Sequence, residues 1–116
     1  KIIIIGTKDD EKKIKINTEE NVLNLCGKLT LRESAALVSK SDLVISNSSL
    51  CMHLAGAFKI PSIILLGDWY ESAKLHHKQW GYPECKVYGK EISLNIKNIL
   101  STEKALCELN KMIVKI

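Results

Sequence analysis

Three short apolar runs constrain this chain most: IIII at 2–5, DLVI at 42–45 and SIILLG at 62–67. The first and last end in glycine, Gly6 and Gly67, and the middle one stops at Ser46. Such runs are too short for a buried helix and lack the alternation of a strand wetted on one face. They fit strands covered on both faces, as in parallel sheets. NVLNL at 21–25, closed by Cys26-Gly27, reads as a further strand, and Lys86–Tyr88 as a weak fifth. Between the strands lie helical patterns. Residues 8–16 read as a short helix resting on Ile14 and Ile16. Thr30 and Glu33 have capping-box spacing, and Leu31, Ala35, Leu37 and Val38 follow on one helical face. A helix of about ten residues leaves the segment after Ile45 and ends near Lys59, where Ile60-Pro61 breaks it. Residues 71–78 suit one or two helical turns, and a last helix follows Ser101 with Ala105, Leu106, Leu109, Met112 and Ile113 on one face. This alternation predicts an α/β fold, a parallel sheet with helices on both faces.

At 116 residues the chain is one domain at most. It opens at Lys1 on a strand, so the expectation is a piece of a longer protein. No apolar run approaches the roughly 20 residues of a membrane span. The net charge of +4 is carried almost wholly by lysine, Arg32 being the single arginine. The lysines are spread among acids rather than clustered with aromatics, which argues against nucleic acid as a partner. Cys26, Cys51, Cys85 and Cys107 form neither a CxxC pair nor a zinc-like spacing with histidine. They read as reduced thiols of a cytoplasmic protein. His76 and His77 are adjacent and diverge on a helix, so no metal site is expected.

The stretch SNSSLCMHLAG, 46–56, holds the chemistry. Ligands of open parallel α/β sheets bind beyond the carboxyl ends of the strands. A strand-to-helix turn there offers unpaired backbone N–H groups and the positive end of a helix dipole. Small side chains let an anion approach closely, and the serine hydroxyls add hydrogen bonds. One reading is therefore a phosphate site. The other is plain helix capping, for which Ser and Asn are ordinary choices. His53 lies about one turn into the helix, either reaching the same anion or bonded to a backbone carbonyl.

Residues 24–67, NLCGKLTLRESAALVSKSDLVISNSSLCMHLAGAFKIPSIILLG, resemble the carboxyl-terminal half of glycosyltransferase family 9, the bacterial ADP-heptose:lipopolysaccharide heptosyltransferase family. That family shows NL-x-GK-x-(S/T)-L-x-E-x-AALI, a hydrophobic strand, TNDSGPMHLA, and a strand ending in FG. The resemblance implies one Rossmann-like half of a two-domain, GT-B type enzyme of lipopolysaccharide biosynthesis. The whole chain, 1–116, then reads as the carboxyl-terminal nucleotide-sugar-binding domain, incomplete at its amino terminus. The family motif contacts the donor diphosphate and sugar. Carried over, the donor site comprises Asn47, Ser48, Ser49, Leu50, Met52 and His53, with Gly67 and Asp68 at the next strand end. The catalytic acidic residue is expected in a separate amino-terminal domain. The implied partners are a nucleotide-sugar donor, a glycan or lipid-linked acceptor and that amino-terminal domain. The sugar nucleotide is a substrate, and no cofactor is implied. The implied location is the cytoplasm, at the inner face of the membrane with peripheral association.

The departures from the motif bear on the sugar. The family Asp falls at Ser48, the Gly at Leu50 and the Pro at Cys51, and DWYESAKLHH replaces the family's PTDP after Gly67. Losing a carboxylate removes a strong acceptor for sugar hydroxyls. Trp69, Tyr70, Trp80 and Tyr82 crowd the segment after the fourth strand, either stacking on a ligand or anchoring the loop. The rival readings are a non-catalytic Rossmann-like nucleotide-binding module and a fragment without a ligand. The family's donor domain begins with a strand and helix upstream of Ile2–Ile5, and that strand is central in a Rossmann-like order. The expectation is either another segment in that gap or a sheet closed in a different order.

Overall fold

The computed structural model describes residues 1–13, 20–67 and 70–89. Its elements alternate as expected: β1 (Ile2–Ile4), α1 (Lys8–Lys13), β2 (Val22–Asn24), α2 (Leu31–Ser39), β3 (Val44–Ser46), α3 (Leu50–Ala57), β4 (Ser62–Leu65), α4 (Ala73–Trp80) and β5 (Cys85–Tyr88). All the described strands pair in parallel, as two sheets flanked by helices, β1-β2 and β3-β4-β5. The chain divides into two compact units, Lys1–Leu37 and Val38–Ile116. The helix expected after Ser101, with Cys107, and the apolar contact expected at Ile14 and Ile16 lie outside the described residues.

In the first unit Ile2 pairs with Val22 and Ile4 with Asn24, and Leu25 N–H and Gly27 N–H continue the ladder to the carbonyls of Ile4 and Gly6. α1 begins with a reciprocal cap: Thr7 N–H and Oγ1 both donate to Asp10 Oδ2, at 2.8 and 2.7 Å. These bonds hold the Asp10 carboxyl below its ordinary range. Gly27 has φ +69°, and a side chain there would meet the backbone of Lys8. The IIII run departs from its reading. Ile2 is 62% exposed and Ile3 38%, because β1 has one strand neighbour among the described residues and a two-stranded sheet covers little of its own faces.

In the second unit β4 is the middle strand, and Ser62, Ile63 and Ile64 are almost wholly buried. Met52, Ile64, Leu66, Ala73 and Cys85 form the core, with Tyr70, Tyr82 and Val87 packed against it. α3 closes with Lys59 N–H on the Gly56 carbonyl and Ile60 N–H on the Ala55 carbonyl, the Schellman pattern. Lys59 holds the left-handed position, φ 58°, where glycine is usual. Since all three strands run in parallel, the Asn47–Ser49 turn and Gly67 emerge at the same carboxyl edge of this sheet.

Candidate functional site at the carboxyl edge of the second sheet

The segment between β3 and α3 does not behave as an ordinary cap. Ser49 occupies the N-cap position with extended backbone, φ −149° and ψ −174°, yet its side chain caps no N–H. Its Oγ lies 3.1 Å from Ser46 Oγ, while Ser46 Oγ also donates to the Asn47 carbonyl at 2.7 Å. Elsewhere the side chains do cap: Thr30 Oγ1 accepts from Glu33 N–H, and Ser72 Oγ from Leu75 N–H. The capping reading of the SNSS turn therefore fails at the position that would carry it. Of the first-turn N–H groups of α3, that of Met52 bonds the Ser49 carbonyl at 3.1 Å, while those of Leu50 and Cys51 have no carbonyl one turn earlier in the helix to bond.

Ser48 is half-buried and anchored from the far side. Its Oγ lies 2.8 Å from His76 Nε2, and Tyr70 OH donates to it at 3.0 Å. The Tyr70 and His76 rings meet edge to face at 4.6 Å. His76 is 1% exposed, and its Nδ1 is buried without a partner among the described residues. Burial, then the neighbouring His77 and His53, pushes the His76 imidazole below its ordinary pKa of 6.5 and keeps it neutral.

His53, half-buried on α3, has its Nδ1 2.8 Å from Tyr82 OH. Its ring stands edge-on to Tyr82 at 5.8 Å and to Trp80 at 6.5 Å. Tyr82 in turn lies over Gly56, where any Cβ would collide with the phenol ring. Asn47 and Leu50 are exposed beside the turn, and Gly67 faces open space. Met52 is fully buried in the core, so any part it takes is through α3 itself. Asp68 and Trp69 lie outside the described residues.

Sequence reasoning singled out the turn and His53 but not what holds them. His76 was weighed as a metal ligand, and it is a core residue. Its spacing from Ala73, three positions on the same buried face of α4, was the available signal. Nothing in the sequence marks Gly56 as the floor under Tyr82. Among the described residues no group of three or more His, Cys, Asp or Glu converges to hold a metal ion. None of the described helices is long and apolar enough to cross a membrane. A shallow, open depression of about 330 Å³ lies between α4 and β5, with Lys74, His77 and Tyr88 in its lining. None of the turn residues borders it, so it is separate from the turn.

A profile of glycosyltransferase family 9 (heptosyltransferase) matches residues 1–82, which include the turn, α3, α4 and Tyr82. The chain belongs to glycosyltransferase family 9. Among solved structures it is similar to the E. coli ADP-heptose lps heptosyltransferase II, with a TM-score of 0.70 and 21% identity over 97% of this chain. At that identity the likeness is one of fold. The chain spans 36% of the length of that heptosyltransferase. No curated protein matches the sequence significantly.

Proposed function

We propose that this chain is the carboxyl-terminal, donor-binding part of a family 9 glycosyltransferase, and that the turn Asn47–Ser49 and the start of α3 receive the diphosphate of a nucleotide-sugar. The observation that carries this reading is the open N-terminus of α3, whose cap residue turns its hydroxyl to Ser46. Unpaired N–H groups at the positive end of a helix suit a dianionic ligand better than any other class. His53 stands one turn further in, its Nδ1 occupied by Tyr82, so Nε2 is the nitrogen left to address a ligand. Gly67 follows the adjacent strand and falls at the same edge, and Asp68 is the next residue in sequence.

The sugar would pass to a glycan or lipid-linked acceptor held by an amino-terminal half that also carries the catalytic acid. On this reading residues 1–116 alone bind donor without transferring it. Ser48 in place of the family carboxylate, and Leu50 in place of its glycine, change the sugar-facing chemistry, so ADP-heptose is not assigned as the donor. The same two substitutions favour, as a second reading, a nucleotide-binding module that no longer transfers.

The test is a thermal-shift screen of ADP, UDP, GDP and CMP sugars on the full-length protein, followed by a transfer assay with the donor that binds. Stabilisation by one nucleoside diphosphate sugar is expected. No stabilisation by any of them would refute the donor site, whereas binding without transfer would select the module.

A further inference from the structure

The hydrogen bonds around Ser48 fix more than its position. Its oxygen has two lone pairs and its hydroxyl one proton. Tyr70 OH donates to that oxygen at 3.0 Å, filling one lone pair. The second contact, His76 Nε2 at 2.8 Å, depends on where the imidazole carries its proton. The other nitrogen, Nδ1, is buried with no partner among the described residues. A buried N–H without an acceptor is much rarer in folded proteins than an acceptor left short of a donor. Nδ1 is therefore the bare nitrogen, and Nε2 carries the proton and gives it to Ser48. Both lone pairs of Ser48 are then occupied, and its own proton is left to leave the cluster.

We infer that His76 and Tyr70 are positioning residues that make Ser48 a hydrogen-bond donor only, aimed at an acceptor-only oxygen of the ligand such as a phosphate oxygen. This rests on the proposed donor site, and it gives position 48 a role opposite to that of a carboxylate, which only accepts. A sugar hydroxyl, which bonds best when it also donates, is the poorer match; a diphosphate oxygen accepts alone. The ring neutrality that burial and the nearby His77 and His53 impose agrees with this proton arrangement.

The arrangement reports itself without any ligand. Nitrogen-15 NMR of the full-length protein near neutral pH is expected to show a protonated, pyrrole-type Nε2 and a bare, pyridine-type Nδ1 at His76; the reverse pattern would overturn the inference. Calorimetry with ADP, UDP and GDP then tests the consequence. For the nucleotide that binds, Ser48→Ala and His76→Leu should each weaken affinity by about tenfold, in the range of a hydrogen bond to a charged group. The double variant should be no weaker than Ser48→Ala, because His76 acts through Ser48. His76→Gln, which puts an amide N–H near the place of Nε2, should recover most of the loss. Additive losses, or an affinity indifferent to Ser48, would overturn the inference while leaving the donor site standing. Failure of the unaltered protein to bind any of the three would bring down the donor site and this inference together.

Discussion

A single histidine behind a helix start can be a ligand-facing group or a packing residue, and two of the three histidines of the second unit differ in how deeply they are buried. His53 is half-buried with one nitrogen taken by Tyr82, whereas His76 is sealed in the core. His53→Ala should weaken nucleoside diphosphate binding by about 1–2 kcal/mol, in keeping with a charge-assisted bond; equal affinities by calorimetry would make His53 structural. Gly56→Ala probes the same histidine from beneath. Inside a helix this change ordinarily stabilises by up to about 1 kcal/mol. Here the new methyl collides with the Tyr82 ring, so loss of stability together with loss of the Tyr82–His53 bond is expected in chemical denaturation and in the His53 NMR signals. His76 gives the molecule an acid-sensitive point. Its folded pKa lies below the ordinary 6.5, so the unfolded chain takes up the proton first. Stability from this group is complete above about pH 6.5 and falls as the pH drops through that value toward the folded pKa. The denaturation midpoint should decline over that window, and His76→Gln should flatten the decline; identical pH profiles would show that His76 does not set it. His53 was legible as a candidate, but its bond to Tyr82 and the burial of His76 were not: Ser48 and His76 stand 28 positions apart and only the fold joins them.

At the scale of elements the sequence was far more informative, for local reasons. Apolar runs bounded by Gly or Ser became β1, β3 and β4, and the Thr30/Glu33 spacing became a reciprocal cap, with Thr30 N–H and Oγ1 each donating to Glu33 Oε2 at 2.7 Å. Thr30→Ala should therefore cost about 1 kcal/mol, read as a lowered urea midpoint; an unchanged midpoint would mean that α2 does not depend on its cap. The end of α3 was placed correctly at the Lys59–Ile60–Pro61 break, but the left-handed turn at Lys59 was not foreseen, since lysine is not the residue that signals it. Replacing Lys59 by Gly should stabilise the protein by up to about 1 kcal/mol, because glycine holds φ near +60° without a Cβ penalty. α4 was seen only as one or two turns. Its start at Ser72 is an ordinary cap, yet its inward face, Ala73 and His76, is small and polar and gives a weak hydrophobic signal.

At the scale of the whole molecule, the parallel α/β class was readable from the alternation of strands and helices, while the division of the strands between two sheets was not, since strand order lies in contacts that no local pattern encodes. That division has a measurable consequence. Leu25 N–H bonds the Ile4 carbonyl and Leu66 N–H the Tyr88 carbonyl, both at 2.8 Å. Geometry alone would give the two amides equal protection from hydrogen exchange. Their surroundings differ. Leu66 is 5% exposed, directly follows the middle strand of the three-stranded sheet and belongs to the core with Met52, Ile64, Ala73 and Cys85. Leu25 follows β2 in a sheet of two strands, where Ile2, Ile3 and Leu23 remain substantially exposed. Two-stranded sheets have little stability of their own, and local opening starts where few apolar contacts must be broken. The Leu66 amide should exchange about a hundredfold more slowly than the Leu25 amide at neutral pH, a gap on the order of 3 kcal/mol in opening free energy. A nucleoside diphosphate bound at the Asn47–Ser49 turn should slow Leu66 further and leave Leu25 nearly unchanged, because the turn belongs to the second unit. Equal exchange at the two amides would show that both units open as one body, and slowing of both by the nucleotide would show that the ligand binds their folding together.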